Sequence, residues 1–376
     1  MQNQKHLFDL PEDITYLNGA YMSPQLKSVT KIGIEALTKK AHPHLGNVQD
    51  VFFKSTRQVK ESFAQLVNIE NPKSVAIIPS VSYGTAIVAK NLKCEKGQHI
   101  IVIEEQFPSN IYAWQRLAEE QSLNIITIKG ENAESINKQL LAAITDNTAL
   151  VAIGAIHWSN GNCFDCEAIG RKAKAHNAAF VIDGTQSVGA LPFDVQATGV
   201  DALICGGYKW LMGPYSIGVA YFGEYFNGGI PIEENWINRK DSENFKNLVN
   251  YQADYQSGAG RYSMGEQSQM VLAPMLNAAI TQLNEWGPAN IQAYCDEISR
   301  DFVATLRGLG FKIEADAYRA KHLFGVEMPA HIDVSALNEQ LRAANIFVSF
   351  RGNHMRVAPN VYNTKADFDK LLGFLK

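Results

Sequence analysis

Between residues 74 and 222, short apolar runs alternate with stretches of helical periodicity, and nothing else in the chain limits its fold as strongly. The runs at 74–79, 100–103, 125–128, 149–156, 179–182, 202–204 and 217–222 are continuously apolar rather than alternating in polarity. Strands buried on both faces read this way. Helical patterns at 84–92, 110–121, 133–144 and 167–176 separate several of them. The series predicts an α/β fold whose mostly parallel sheet is covered on both sides. Such sheets bind ligands beyond the carboxyl ends of their strands, so residues just after the apolar runs are the candidates for chemistry.

A chain of 376 residues exceeds one ordinary small core, which implies two packed units. From about residue 264 the pattern changes to helices at 267–285 and 290–309, short strands at 324–328, 346–349 and 355–358, and an amphipathic helix at 365–375. The expected division is an N-terminal segment 1–30 packed on the small unit or on a partner, a large unit 31–263, and a small α+β unit 264–376. The stretch 223–260 is polar and aromatic and shows no period.

A net charge of −4 gives no case for a nucleic-acid partner. No apolar run approaches the roughly 18–20 residues of a membrane span. The first ten residues lack the basic start and apolar core of a signal peptide, so a cytoplasmic location is expected. Cys163 and Cys166 form a C-x-x-C with no second pair, and His42 and His44 have no acidic companion. Both pairs read as loop residues, and no metal is expected.

Two residues stand out at strand ends. Asp183 directly follows the run 179–182, where a carboxylate can meet a cationic ring, a ribose or a metal. Lys209 follows the run 202–204 among apolar neighbours, and desolvation there favours the neutral, nucleophilic amine. Each candidate has a plain alternative when read alone. Lys209 could be a solvated lysine, Asp183 or Ser82 a helix cap, and Phe107 a packing residue. Asn160, followed by Gly161, could be a turn residue and Arg356 a rim arginine.

In order along the chain, PSVSYGTAIVA, EEQFPSNIYAW, HWSNG, AFVIDGTQS, CGGYKWLMGP and NHMRVAPNVYNT together resemble the class V aminotransferase family of pyridoxal-phosphate enzymes. That family includes cysteine desulfurases, selenocysteine lyases and isopenicillin N epimerase-like proteins. The resemblance runs from about Tyr16 to the C-terminus. It implies an aspartate-aminotransferase-like fold (fold type I), a homodimer, pyridoxal 5'-phosphate as cofactor and an α-amino acid as substrate. It makes Lys209 the Schiff-base lysine and Asp183 the partner of the pyridine nitrogen. Gln186 and Asn160 would reach the phenolic oxygen, Phe107 would stack on the ring, and Val81, Ser82 and Tyr83 would cradle the phosphate at a helix start. Arg356 would bind the substrate carboxylate through its planar fork, with Arg351 a second candidate. Asn18 and Tyr21, in YLNGAYMSP, would lie near the substrate.

Three departures qualify the resemblance. Gly206-Gly207-Tyr208 stands where the family often has a Ser or Thr and a His, which removes one phosphate hydroxyl; Tyr208 is expected to substitute. No cysteine lies between 348 and 356, which argues against a persulfide relay; Cys295 is nearest in sequence. Gly265-Glu266-Gln267 replaces a Gly-Thr-Pro segment, and a glutamate would repel a phosphate. The expected activity is an aminotransferase. The alternatives are a C–S or C–Se β-lyase, an amino-acid epimerase and, remotely, a non-catalytic binding protein.

Overall fold

A computed structural model describes residues 1–376. The chain opens with β1 (Thr15–Tyr16), α1 (Lys27–Lys40) and α2 (Ser55–Leu66). The alternating region follows as β2 (Val75–Ile78), α3 (Val81–Asn91), β3 (His99–Ile103), α4 (Tyr112–Gln121), β4 (Asn124–Ile128), α5 (Ala133–Ala143), β5 (Thr148–Gly154) and α6 (Cys166–Ala175). It ends with β6 (Ala179–Asp183), the single turn α7 (Val195–Thr198), β7 (Ala202–Gly206) and β8 (Gly218–Phe222). Then come α8 (Leu272–Trp286), α9 (Pro288–Gly308), β9 (Phe324–Glu327), α10 (Val334–Ala343), β10 (Ile346–Phe347), β11 (Ser349–Arg351), β12 (His354–Val357) and α11 (Lys365–Leu372).

The seven-stranded sheet runs β2-β8-β7-β6-β5-β3-β4. All strands are parallel except β8, which pairs antiparallel with both β2 and β7. Its apolar runs are continuous because both faces are buried. Val75, Ile77, Val151, Ile153 and Leu203 belong to one core cluster, and the intervening Ala76, Ile78, Leu150, Ala152 and Ile204 to another. This is the two-residue alternation of a strand with helices on either side. Trp114 and Leu117 of α4 cover the second face, and Phe63 of α2 and Leu276 of α8 help cover the first.

A third cluster lies under the three-stranded antiparallel sheet β11-β12-β9, where Phe302 and Leu306 of α9, Leu337 of α10 and Phe368 of α11 meet Phe324 and Val326. β1 pairs in parallel with β10, and Asn18 bridges to Ala358, so the N-terminal segment joins this C-terminal layer. Helix α8 lies past residue 264 yet packs with α1 and α2 in the first cluster. At the closest approach, a Cβ on Gly33 would meet Met275 Sδ at 2.6 Å. The third cluster takes over within α9, after Gly287.

Helices α1, α2 and α10 have no counterpart in the sequence reading. Asp333 fixes the start of α10 by accepting from the N–H groups of Ser335 and Ala336. The strand expected at 346–349 divides at Val348, with β10 pairing to β1 and β11 to β12. No helix is long and apolar enough to cross a membrane.

Candidate active site

A cavity of about 330 Å³ opens at the carboxyl ends of β2, β3, β5, β6 and β7. β7 and β8 are antiparallel neighbours, so the chain must reverse between them, and that reversal carries Lys209 into the cavity wall. Gly207 N–H donates to the Ile217 carbonyl and Gly213 N–H to that of Gly207, which closes the reversal. Gly189, at φ +105°, lets the loop after β6 pass against it; a Cβ there would meet the Trp210 carbonyl oxygen at 2.2 Å.

Lys209 is 7% exposed, and its Nζ lies 5.3 Å from the ring centre of Phe107 and 5.5 Å from that of Tyr208. Burial lowers its pKa to about 8; Asp183 opposes the shift, and Arg356 and Arg351 add to it. Asp183 ends β6 in the same cavity wall. Burial pushes its carboxyl above the usual range, against the hydroxyl and N–H of Thr185 and the charge of Lys209. Thr185 N–H donates to Asp183 Oδ1 at 3.0 Å, and Thr185 Oγ1 accepts from Gly206 N–H at 3.0 Å. Thr185 therefore ties the ends of β6 and β7 together. It lies within the AFVIDGTQS motif, where the sequence reading assigned it no role.

At the start of α3, Ser80 is the cap: its Oγ accepts from Tyr83 N–H and lies 2.9 Å from Ser82 Oγ. Ser80, Val81 and Ser82 line the cavity, and the first N–H groups of a helix have no partner inside it. Tyr83 does not join them. Its N–H is taken by the cap, and its hydroxyl donates to Glu233 at 3.0 Å. The sequence reading started this helix at 84, so it missed Ser80. Gly206 has a steric explanation. A Cβ there would stand 3.3 Å from the Tyr208 ring and 3.4 Å from Thr185, so a larger residue would need these two side chains to shift slightly. Tyr208 lines the cavity with its ring edge-on to Tyr215.

Gln186 also lines the cavity, with its amide donating to the Ala20 carbonyl and accepting from Trp210 Nε1. Asn160 does not reach the wall. Its Oδ1 accepts from Asn162 N–H at 3.1 Å and its carbonyl from Gly325 N–H at 2.8 Å. It builds the Asn-Gly turn, with Gly161 at φ +74°.

Phe107 packs edge-on to Trp158, at 5.4 Å between ring centres. Beyond Trp158 stand the arginines of the β11–β12 hairpin. Arg356 is 1% exposed and donates to Ser349 Oγ and to the Trp158 carbonyl. Burial lowers its pKa to about 9, and Arg351 adds to the effect. Arg351 is half-buried and donates to the Phe350 carbonyl. Asn18 Oδ1 is buried without a partner, and Tyr21 is exposed. None of the five cysteines, all free, lines the cavity; Cys295 is buried and bonds to the Pro359 carbonyl. Burial pushes both the Cys163 and the Cys166 thiol up, so neither is an ionised ligand or nucleophile at neutral pH. His42 and His44 are exposed, with their rings edge to face.

A buried lysine and a half-buried carboxylate at adjoining strand ends, opposite a capped helix start, define an enzyme class built to hold an aldehyde cofactor with a phosphate tail. The model of the family described as aminotransferase class-V matches residues 15–368, and the chain belongs to that family of pyridoxal-phosphate-dependent enzymes. It is 26% identical over 317 residues to the uncharacterized aminotransferase YcbU of Bacillus subtilis (strain 168), covering 84% of this chain and 81% of that protein. It is 23% identical to a kynureninase of Shouchella clausii, covering 95% and 86%. Its fold is similar to that of the apo cysteine desulfurase from Thermococcus onnurineus NA1, with a TM-score of 0.85, 19% identity and coverage of 100% and 98%. The family, fold class and cofactor expected from the motifs are thereby borne out.

Proposed function

We propose that the chain is an amino-acid aminotransferase in which Lys209 carries the cofactor and moves the substrate's α-proton. The observation that carries this reading is the shared cavity of Lys209, which is buried, and Asp183, half-buried at the end of β6, neither held in an ion pair within it. The residues fit the cofactor. Asp183 is a desolvated carboxylate that a protonated ring nitrogen would stabilise. Ser80, Ser82 and the free N–H groups of α3 suit a phosphate. Phe107 offers a ring face beside Lys209.

Pyridoxal phosphate, when bound, supplies the aldehyde that receives an amine and the ring that draws electrons from the α-carbon. The remaining work falls to the chain. Lys209, with its pKa near 8, is partly neutral at working pH and can take and return a proton at the α-carbon. Arg356 is a desolvated guanidinium without a carboxylate partner, suited to the substrate's carboxylate. Phe107 and Trp158 cover the approach and limit water.

We further propose a homodimer, in line with the exposed apolar residues Ile34 and Leu37 on α1 and Val249 and Tyr251 in the irregular segment. Incubating the purified protein and pyridoxal phosphate with α-amino acids and a 2-oxo acid should give amino transfer between them. Release of pyruvate with ammonia or sulfide, without transfer, would replace this reading with that of a β-lyase.

A further inference from the structure

The β11–β12 hairpin brings two cations against Trp158, a residue of the cavity wall. The Cζ of Arg356 lies 5.8 Å from the ring centre of Trp158, and that of Arg351 lies 5.6 Å from the same ring. Neither guanidinium has an acidic partner. Arg356 donates to Ser349 Oγ and to the Trp158 carbonyl, and Arg351 to the carbonyl of Phe350. The two are close enough for each to act on Lys209, and Arg351 on Arg356. Like charges gathered in a partly desolvated space are costly unless an anion joins them.

One monocarboxylate cannot explain both groups. Arg356 already gives Nε–H to Ser349 and one Nη1–H to Trp158, so a bidentate α-carboxylate leaves it a single free N–H, too few for a second acid group. Arg351 then remains, on the adjacent strand of the same hairpin, opposite His354. The acidic side chains nearby do not neutralise it. Glu104 pairs with Lys129, and Glu105 acts on His157 and His354. The Trp158 ring beside both cations is fixed by its Nε1–H, which donates to the Glu105 carbonyl.

We propose that the substrate is a dianionic amino acid, with its α-carboxylate on Arg356 and a side-chain acid group on Arg351. The inference rests on the assignment of Arg356 under the proposed function. An amide of the same shape would leave Arg351 uncompensated, so the site should separate acid from amide sharply. A distal carboxylate on an arginine is worth about 1.5–3 kcal/mol, or roughly ten- to a hundredfold in affinity.

The test is the binding step that precedes amino transfer, followed by stopped-flow tryptophan fluorescence of the protein loaded with pyridoxal phosphate. The probes are succinate against succinamate (the half-amide), and L-aspartate against L-asparagine. The expected result is a preference of tenfold or more for the acid in both pairs, falling towards unity in Arg351→Gln. In Arg356→Gln, aspartate and asparagine should weaken together while their ratio persists. Equal affinity for acid and amide in the wild type overturns the dianionic substrate, as does a ratio unchanged in Arg351→Gln. Failure of the underlying assignment looks different: L-alanine binds equally well to the wild type and to Arg356→Gln.

Discussion

The two walls of the active site are built in opposite ways. The cofactor wall comes from the ends of parallel strands, and its polar groups are tied to one another: Thr185 to Asp183 and Gly206, Gln186 to Ala20 and Trp210, Ser80 to Tyr83. The hairpin wall stands behind Trp158, comes from a small antiparallel sheet and carries Arg351 and Arg356 without counter-charges. The first arrangement suits a resident group, and the second suits the transient anion proposed above. Lys209 feels both walls, since Asp183 raises its pKa and the arginines lower it.

This contrast can be broken by substitution, with the largest losses on the cofactor wall. Lys209→Ala removes both anchor and base, and turnover should fall by roughly a thousandfold or more. Retention of more than a tenth of the kcat would show that Lys209 does neither. Asp183→Asn should lower kcat by about a hundredfold or more, in line with removal of one preorganised electrostatic partner. The phosphate cup should still hold the cofactor, so equilibrium dialysis should show a smaller change than kinetics does.

The pH dependence tests whether the walls meet at Lys209. Burial lowers the lysine's pKa to about 8, so the neutral amine is abundant above that pH and scarce below it. The rate at which cofactor-free protein captures pyridoxal phosphate should level off above pH 8 and fall about tenfold per unit below it. Arg356→Gln removes a cation that lowers this pKa, so the midpoint should move up; Asp183→Asn removes an anion that raises it, so the midpoint should move down.

On the hairpin wall, Arg356→Gln should raise KM by about ten- to a hundredfold, the size of a lost charged hydrogen bond, with a smaller change in kcat. Ser80→Ala has the smallest effect. Loss of the α3 cap should cost about 1 kcal/mol in urea unfolding and weaken cofactor binding several-fold. An unchanged unfolding midpoint would remove Ser80 from the cap.

The cofactor wall was legible in the sequence and the hairpin wall much less so, for a physical reason. Parallel strands buried on both faces write continuous apolar runs, and their ligands fall at predictable ends, which is how Asp183 and Lys209 were found. Trp158 and Thr185 act through geometry that no period encodes, since each belongs to a connection whose course depends on neighbouring elements. An Asn-Gly turn and a ligand-binding asparagine look alike in a sequence, and Asn160 Oδ1 serves the turn here. Helix α3 begins three residues earlier than its apolar pattern, which makes Ser80 the cap and gives it the Tyr83 N–H. The pairing of β1 with β10 joins residues more than three hundred positions apart and left no local signal.

The most direct test of the account is to load the protein with pyridoxal phosphate, reduce it with borohydride and map the modified peptide by mass spectrometry. The account predicts a single stable adduct on Lys209 and none in Lys209→Ala. Reduction that leaves Lys209 unmodified, or that labels another lysine while Lys209→Ala keeps full labelling, would contradict it.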